Sequence, residues 1–165
     1  MSLRIEPLTR EHDRNGFNCL DESINLFLRE KAMQDQRLDL SRTMVLINEK
    51  ENIRRVIGYH TLLISQVKQE EIPADRPKIT RDIPVIMLGQ VGIDVDFQGK
   101  GFGNALIIDV QQRVAEISKI VGIRALMLDA RTEILAGWYQ KHDFIRFAKS
   151  LRMFKSIQTI RRFLR

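Results

Sequence analysis

A glycine-rich segment near the middle of the chain has the composition of a phosphate-binding turn. The segment reads Gln98, Gly99, Lys100, Gly101, Phe102, Gly103 and Asn104. Glycines allow successive backbone N–H groups to converge on an anion without obstruction from a Cβ atom. A helix that starts at the same point adds the positive end of its dipole. The segment therefore predicts a site for a pyrophosphate group.

Three other interpretations of this turn fit less well. A purely structural turn explains one or two glycines with positive φ, but not three in alternate positions. A nucleotide-binding P-loop needs Ser or Thr directly after its lysine, whereas Asn104 and Ala105 follow the last glycine. A dinucleotide fingerprint needs a different glycine spacing, an early strand and an acidic residue about 20 positions later.

The elements on either side of the turn must position it. Before it, Pro84 to Val95 is a long apolar stretch that predicts a central strand, and Gly89 and Gly92 interrupt it. Glycine inside a strand marks a bulge or the close approach of another group. After it, a helical stripe predicts an amphipathic helix, with Gly122 expected to end it in a left-handed conformation. The stripe consists of Leu106, Val110, Val114, Ile117 and Val121.

The rest of the chain alternates between helical and strand patterns. A helix is expected to begin near Asp21 or Ser23, where apolar residues start to recur at three- and four-residue spacing. The remaining predicted elements are an antiparallel hairpin of 43–47 and 56–64, an exposed loop over 66–84 containing Pro73, Pro77 and Pro84, a strand over 123–130, a helix over 132–141 and a terminal strand or hairpin from 144 to 154.

Composition limits the class of protein. The 165 residues, 44% hydrophobic and 29% charged, predict one globular domain over 1–165. No apolar run is long enough for a membrane span and no secretory signal is evident, so we expect no membrane association and a cytoplasmic location. The single Cys19 and the scattered His12, His60 and His142 do not predict a metal site. The net charge of +6 favours a polyanionic partner.

The pattern Gln98-x-x-Gly101-x-Gly103, between a long strand and an amphipathic helix, resembles the coenzyme A-binding motif of the GCN5-related N-acetyltransferases (GNAT family). The resemblance implies an α/β (α+β) fold. Its central sheet would be mixed and mostly antiparallel, with a splayed central strand and flanking helices. It also implies acetyl-CoA as co-substrate and no metal.

Further segments resemble the acetyltransferase toxins of bacterial toxin–antitoxin operons. They are 17–19, 23–28, 40–43, 58–62 and the pair Trp138 and Tyr139. This resemblance implies acetylation of the amino acid on charged tRNA, a ribbon-helix-helix antitoxin as partner, and possible homodimers. The sequence departs from the pattern at Leu20, where the toxins usually have glycine, and at Asp143, which replaces a glycine.

The resemblance also assigns roles to residues. Backbone N–H groups of Val91, Gly92 and Ile93 are expected to bind the pantetheine arm and polarise the thioester carbonyl. Tyr139 corresponds to the family tyrosine that protonates the departing thiolate, and a phenol pKa of about 10 suits that step. The adjacent Trp138 is interpreted as packing.

No general base is evident in the sequence. An α-amino group titrates at about 7.7 to 8.0, so much of an aminoacyl substrate is already neutral in cells. Glu70, Glu71 and Glu133 could act through a water molecule, and His60 lies on a predicted strand, but none is favoured over an ordinary solvated or packed residue.

The carboxyl-terminal region is strongly basic. Its cations are Lys141, Arg146, Lys149, Arg152, Lys155, Arg161, Arg162 and Arg165. They predict a surface that contacts tRNA phosphates, although a solvated basic tail is nearly as good an interpretation. Two other functions stay open: acetylation of a small amine or a peptide N-terminus, and a non-catalytic module that only senses acyl-CoA.

Overall fold

The computed structural model describes residues 1–68, 81–147 and 149–164. The strands in these residues are β1 (Leu3–Pro7), β2 (Arg42–Asn48), β3 (Gly58–Val67), β4 (Ile83–Ile93), β5 (Ala125–Asp129), β6 (Ile145–Arg146) and β7 (Arg152–Ser156). The helices are α1 (Glu22–Leu26), α2 (Ala32–Arg37), α3 (Phe102–Ile117), α4 (Glu133–Lys141) and α5 (Ile157–Phe163). A π-helical turn, Phe27–Lys31, joins α1 to α2.

The strands form one sheet in the order β1-β2-β3-β4-β5-β7-β6. Strand β4 pairs with β5 in parallel, while β1 with β2, β2 with β3, β5 with β7 and β6 with β7 are antiparallel. This confirms the predicted mixed, mostly antiparallel sheet with helices. Strand β1 and helix α5 were missing from the sequence-based prediction.

The chain divides into two compact units. The first comprises Met1–Leu63 and Gly89–Val110, and the second comprises the described parts of Ile64–Leu88 and Gln111–Arg165. Strands β3 and β4 and helix α3 each contribute residues to both units. The single domain over 1–165 stays a prediction.

The first unit has a core of apolar residues from the amino-terminal helices and strands β2 and β3. Its buried members are Leu8, Phe17, Ile24, Leu28, Ala32, Val45, Ile47, Val56 and Tyr59. A smaller cluster of Leu46, Ile57 and Leu106 packs with Val91, Ile93, Phe97 and Phe102. The residues predicted to bind the cofactor thus lie beside a packed core.

The second unit has a separate core from strands β4, β5 and β7. It consists of Val67, Ile83, Val85, Ala125, Met127 and Phe154. The β4–β5 register runs from Val85 with Ala125 to Leu88 with Leu128. Residues 89–93 of β4 lie beyond this register, as expected of a central strand that separates from its neighbour.

The starts of α1 and α4 were predicted well, and both have local caps. The Asp21 carboxylate accepts a hydrogen bond from the Ser23 amide, and the Thr132 hydroxyl accepts one from the Leu135 amide. The helix-ending role of Gly122 was wrong. Helix α3 ends at Ile117, Gly122 is not among the positive-φ residues, and Val121 is 48% exposed. The Ser118 hydroxyl donates to the Ala115 carbonyl and stabilises this earlier end.

The predicted loop over 66–84 is only partly described. Strand β3 extends to Val67 and β4 begins at Ile83, so both strands reach into the predicted loop. Pro73 and Pro77 lie outside the described residues. No helix in the described part of the chain is long and apolar enough to cross a membrane.

Candidate functional site

The glycine turn has the backbone that a cradle for an anion requires. Gly99 and Gly101 have φ values of +75° and +85°, and a Cβ atom at either position would meet nothing within 4 Å. Glycine is therefore needed here for its backbone conformation and not for packing. Gly103 lies in the first turn of α3, so it does not share this requirement.

Two cations and the amino terminus of α3 lie at the turn. Helix α3 starts at Phe102 and has 16 residues, so its amino-terminal N–H groups belong to a full-length helix. The Lys100 ammonium lies 5.7 Å from the centroid of the Phe97 ring, and the Arg55 guanidinium lies 5.1 Å from the same centroid. A diphosphate suits this turn, because it would occupy the space a side chain on Gly99 or Gly101 would otherwise fill.

A buried carboxylate secures the segment between β4 and the turn. Asp94 is 1% exposed and accepts hydrogen bonds from the amides of Asn18 and Asp96. The Arg55 guanidinium donates to Asp94 at 3.1 Å and to Asp96 at 2.8 Å. The sequence interpretation missed Asp94 and Arg55. The two acids at alternate positions after a strand were the available signal, because such residues cap short turns.

Gln98 supports the turn through its side chain. Its Nε2 atom donates to the carbonyl oxygen of Ile93 at 2.9 Å and to that of Cys19 at 3.2 Å. The side-chain nitrogen therefore faces the protein backbone, and the ligand-binding role proposed for Gln98 falls to its main chain.

The two glycines of β4 pack closely against side chains of the first unit. A Cβ atom on Gly89 would lie 2.8 Å from Leu63 Cδ2, and one on Gly92 would lie 3.0 Å from Ile24 Cγ2 and 3.2 Å from Cys19 Sγ. Val91, Gly92 and Ile93 are all half-buried. Because the β5 register has ended by this point, these residues stay the candidates for binding the thioester.

Tyr139 lies on α4 in the second unit. Its side chain is buried between the rings of Trp138 and Phe144, whose centroids are 5.0 and 5.5 Å away. Burial raises the pKa of the Tyr139 hydroxyl above its usual value. No hydrogen bond of this hydroxyl occurs within residues 1–68, 81–147 and 149–164. The phenol therefore stays protonated and is able to donate a hydrogen bond. It is a weaker acid than the usual phenol pKa of about 10 implies.

The structure removes two of the candidate bases. Glu133 forms a bidentate ion pair with Arg146 at 2.6 and 2.7 Å, and that pairing lowers the pKa of Glu133. His60 is fully buried and its Nε2 atom lies 2.8 Å from Asp109 Oδ2. Glu70 and Glu71 lie outside the described residues.

The basic carboxyl-terminal residues are less available for contacts with tRNA phosphates than the sequence suggests. Lys155 is 1% exposed, so its predicted contact with tRNA phosphate is wrong. Its ammonium donates to Gln111 Oε1 and to the His142 carbonyl at 2.6 and 2.9 Å. Arg146 and Arg152 pair with Glu133 and Asp129. Lys141, Lys149 and Arg162 are exposed, and Arg165 is outside the described residues.

Both departures from the toxin pattern occupy left-handed backbone. Leu20 has a φ of 73° and Asp143 a φ of 66°. Glycine is the residue that adopts this conformation without penalty. The backbone expected from the glycine-containing pattern is thus present despite the different side chains.

Within the described residues, no group of three or more His, Cys, Asp or Glu side chains could hold a metal ion.

Proteins similar to the chain in sequence include two toxins, although no family model matches the chain. "Probable toxin TacT" of Sinorhizobium fredii is 29% identical over 170 residues, covering 95% of this chain and 92% of that protein. A "tRNA-acetylating toxin" of Mycobacterium tuberculosis is 26% identical over 133 residues, covering 80% and 78%.

Solved toxin structures share the fold over 99% of this chain. A tyrosine-to-phenylalanine mutant of KacT superposes with a TM-score of 0.92 at 27% identity, over 99% of that chain. AtaT complexed with acetyl-methionyl-tRNAfMet gives 0.91 at 27%, over 100% of that chain. A tyrosine-to-phenylalanine mutant of AtaT, bound to the C-terminus of the antitoxin AtaR and acetyl-CoA, gives 0.84 at 27%, over 99%.

The fold, the glycine turn and these similarities agree with the family resemblance drawn from the sequence. The chain has the GCN5-related N-acetyltransferase fold and is similar to the probable toxin TacT and to the tRNA-acetylating toxin over 95% and 80% of its length.

Proposed function

We propose that the chain transfers the acetyl group of acetyl-CoA to the α-amino group of aminoacyl-tRNA and so acts as a toxin that blocks translation. The observation that carries the proposal is the turn at Gly99 and Gly101, where two left-handed glycines precede a 16-residue helix. The choice of acceptor is supported by the relative named a tRNA-acetylating toxin and by the structure of AtaT with acetyl-methionyl-tRNAfMet.

The main-chain N–H groups of the segment Gln98–Asn104 hold the diphosphate of coenzyme A in this proposal. Lys100 adds positive charge, and Asp94 with Arg55 keeps the preceding segment in place. When bound, acetyl-CoA supplies an activated acetyl group as a thioester. Val91, Gly92 and Ile93 contribute N–H groups that bind the pantetheine arm and stabilise negative charge on the carbonyl oxygen.

Tyr139 donates a hydrogen bond to the departing sulfur. Its raised pKa favours hydrogen-bond donation over complete proton transfer, because a thiol is the stronger acid of the pair. The chain has two tyrosines, and the hydroxyl of the other, Tyr59, donates to the Ile24 carbonyl at 2.6 Å. Two of the solved relatives carry a tyrosine-to-phenylalanine change, which supports a role for a tyrosine.

No dedicated base is required for this acceptor. The amine of an aminoacyl ester is largely neutral at cellular pH, since even a free α-amino group titrates at about 7.7 to 8.0. Its proton passes to solvent as the C–N bond forms and the C–S bond breaks. The pairing of Glu133 and the burial of His60 fit this mechanism.

We further propose an antitoxin partner with a ribbon-helix-helix half and a segment that binds the toxin, as well as a cytoplasmic location, where charged tRNA and acetyl-CoA occur together. The structure of AtaT with the C-terminus of AtaR supports such a partner. A homodimer stays a prediction from the resemblance.

The test is mass spectrometry of total charged tRNA after incubation with the protein and acetyl-CoA. An added acetyl group on the amino acid, absent with uncharged tRNA, is the expected result. Acetylation of free amines or peptides that added tRNA does not affect would favour the small-amine function instead. Coenzyme binding without transfer to any acceptor would favour a sensing module.

A further inference from the structure

Leu20 combines a left-handed backbone with an exposed apolar side chain. Its φ is 73° and its exposure is 70%. A residue with a Cβ atom is disfavoured in this conformation, and a leucine that stays in water gains nothing from burial. The fold therefore gains no stability from having leucine at this position.

The surroundings hold Leu20 in that conformation. The Asn18 Oδ1 atom accepts hydrogen bonds from the Leu20 amide at 2.9 Å and from Asn25 Nδ2 at 3.0 Å. The Asn25 Oδ1 atom accepts one from the Cys19 amide at 2.8 Å. Asn25 is 2% exposed, so the network is anchored in the protein. Strained residues that are held in this way occur at functional sites.

The same loop is fastened to the proposed cofactor site. The Asn18 amide donates to Asp94 at 3.1 Å, and Gln98 donates to the Cys19 carbonyl at 3.2 Å. Cys19 also packs on Gly92, where a Cβ atom would lie 3.2 Å from its sulfur. Leu20 is the next residue in the chain, so it is one residue away from this contact with the strand segment assigned to the thioester carbonyl.

We infer that Leu20 is a specificity residue that contacts the acceptor and favours aminoacyl groups with apolar side chains. The inference rests on the proposed function. The α-carbon of an aminoacyl group carries both the attacking amine and the side chain, so an amine at the thioester brings its side chain to the same place. A fixed, exposed leucine there buries apolar surface with leucyl or methionyl groups and none with glycyl groups.

The experiment compares acetylation of purified tRNAs charged with leucine, methionine, glycine or serine. The wild-type protein is tested beside Leu20→Asn, Leu20→Gly and Leu20→Met. Asparagine tolerates the left-handed conformation, so Leu20→Asn removes apolar surface without added strain. Leu38→Asn is the matched control, because Leu38 is 58% exposed and has a negative φ of −88°.

We expect the wild-type kcat/KM to favour leucyl- and methionyl-tRNA over glycyl-tRNA. The ratio of kcat/KM for leucyl- or methionyl-tRNA to kcat/KM for glycyl-tRNA should fall by about tenfold in Leu20→Asn and Leu20→Gly. It should persist in Leu20→Met and Leu38→Asn, and the KM for acetyl-CoA should not change.

Three results would overturn the inference while leaving the proposed function intact. They are a wild-type preference for glycyl-tRNA, an unchanged ratio in every Leu20 variant, and a change confined to the KM for acetyl-CoA, which would assign Leu20 to the pantetheine. Failure of the wild-type protein to acetylate total charged tRNA would overturn both proposals, whereas acetylation of total charged tRNA but of none of these four would overturn this inference alone. Circular dichroism melts of each variant would check that all are folded.

Discussion

The side-chain amide of Gln98 donates a hydrogen bond to the backbone carbonyl of Ile93 at 2.9 Å, which ties the glycine turn to the end of β4. A second bond from the same Nε2 atom reaches the carbonyl of Cys19. One side chain thus links three segments that the proposed mechanism requires: the turn, the strand that binds the thioester, and the loop that carries Leu20.

Replacing Gln98 with leucine should weaken acetyl-CoA binding. Each lost hydrogen bond is worth about 0.5 to 1.5 kcal/mol, so the Kd should rise roughly tenfold. Isothermal titration calorimetry measures the change. Gln112→Leu is the control, because Gln112 is exposed on α3, and its affinity should match the wild type. Equal affinities of the two variants would show that the Gln98 side chain does not support the turn.

A bulkier residue at Gly101 should weaken acetyl-CoA binding more than the Gln98 change does, as measured by the same calorimetric titration. Gly101→Val places a β-branched side chain at a φ of +85°, and it fills the space assigned to the diphosphate. We expect acetyl-CoA binding to be lost. Gly122→Ala is the matched change at a glycine without positive φ and with nothing within 4 Å of a Cβ atom. If Gly101→Val still binds acetyl-CoA with wild-type affinity, the turn is not the diphosphate site.

Local chemistry explains which parts of this site could be predicted from the sequence. Glycine spacing, the Asp21 and Thr132 caps and the apolar stripe of α3 act over a few residues, so each leaves a readable pattern. The contact of Arg55 with Asp94 joins residues 39 positions apart, and only the folded chain brings them together. Lys155 was assigned to the surface because lysines are rarely buried, and its partners Gln111 and His142 come from other elements.

The two tyrosines provide a matched pair for separating catalysis from stability. Tyr139→Phe should lower kcat on the order of 10²-fold and leave acetyl-CoA affinity unchanged, because it removes only a hydrogen-bond donor to the leaving sulfur. Stability should change little, since the described residues offer the Tyr139 hydroxyl no partner.

Tyr59→Phe should show the opposite pattern. It removes the buried hydrogen bond from the Tyr59 hydroxyl to the Ile24 carbonyl, which costs about 0.5 to 1.5 kcal/mol of unfolding free energy, because that carbonyl still accepts from the Phe27 amide. Denaturant titrations and acetylation kinetics on both variants measure the two effects. A Tyr139→Phe protein with wild-type kcat would remove that hydroxyl from the mechanism.

Leu20→Gly should stabilise the protein while it alters acceptor preference. The left-handed conformation costs a leucine about 1 to 2 kcal/mol, and the 70% exposed side chain contributes little burial. We expect unfolding free energy to rise by about 1 kcal/mol. Asp143→Gly should gain less, because aspartate tolerates a φ of 66° better than leucine does. A lower urea midpoint for Leu20→Gly would show that the leucine side chain supports the fold after all.

The buried Lys155 predicts a pH dependence of stability. Burial lowers the pKa of its ammonium below the usual value of about 10.4, while the neighbouring Asp143 carboxylate opposes the shift. Between the folded and unfolded pKa values the unfolded chain binds more protons, so unfolding free energy rises with pH over that interval. The wild-type protein should therefore gain stability relative to Lys155→Met as the pH is raised from neutral toward 10. Lys141→Met, at an exposed position on α4, should follow the wild-type curve. Parallel curves for wild type and Lys155→Met would show that the lysine titrates as it does in the unfolded chain.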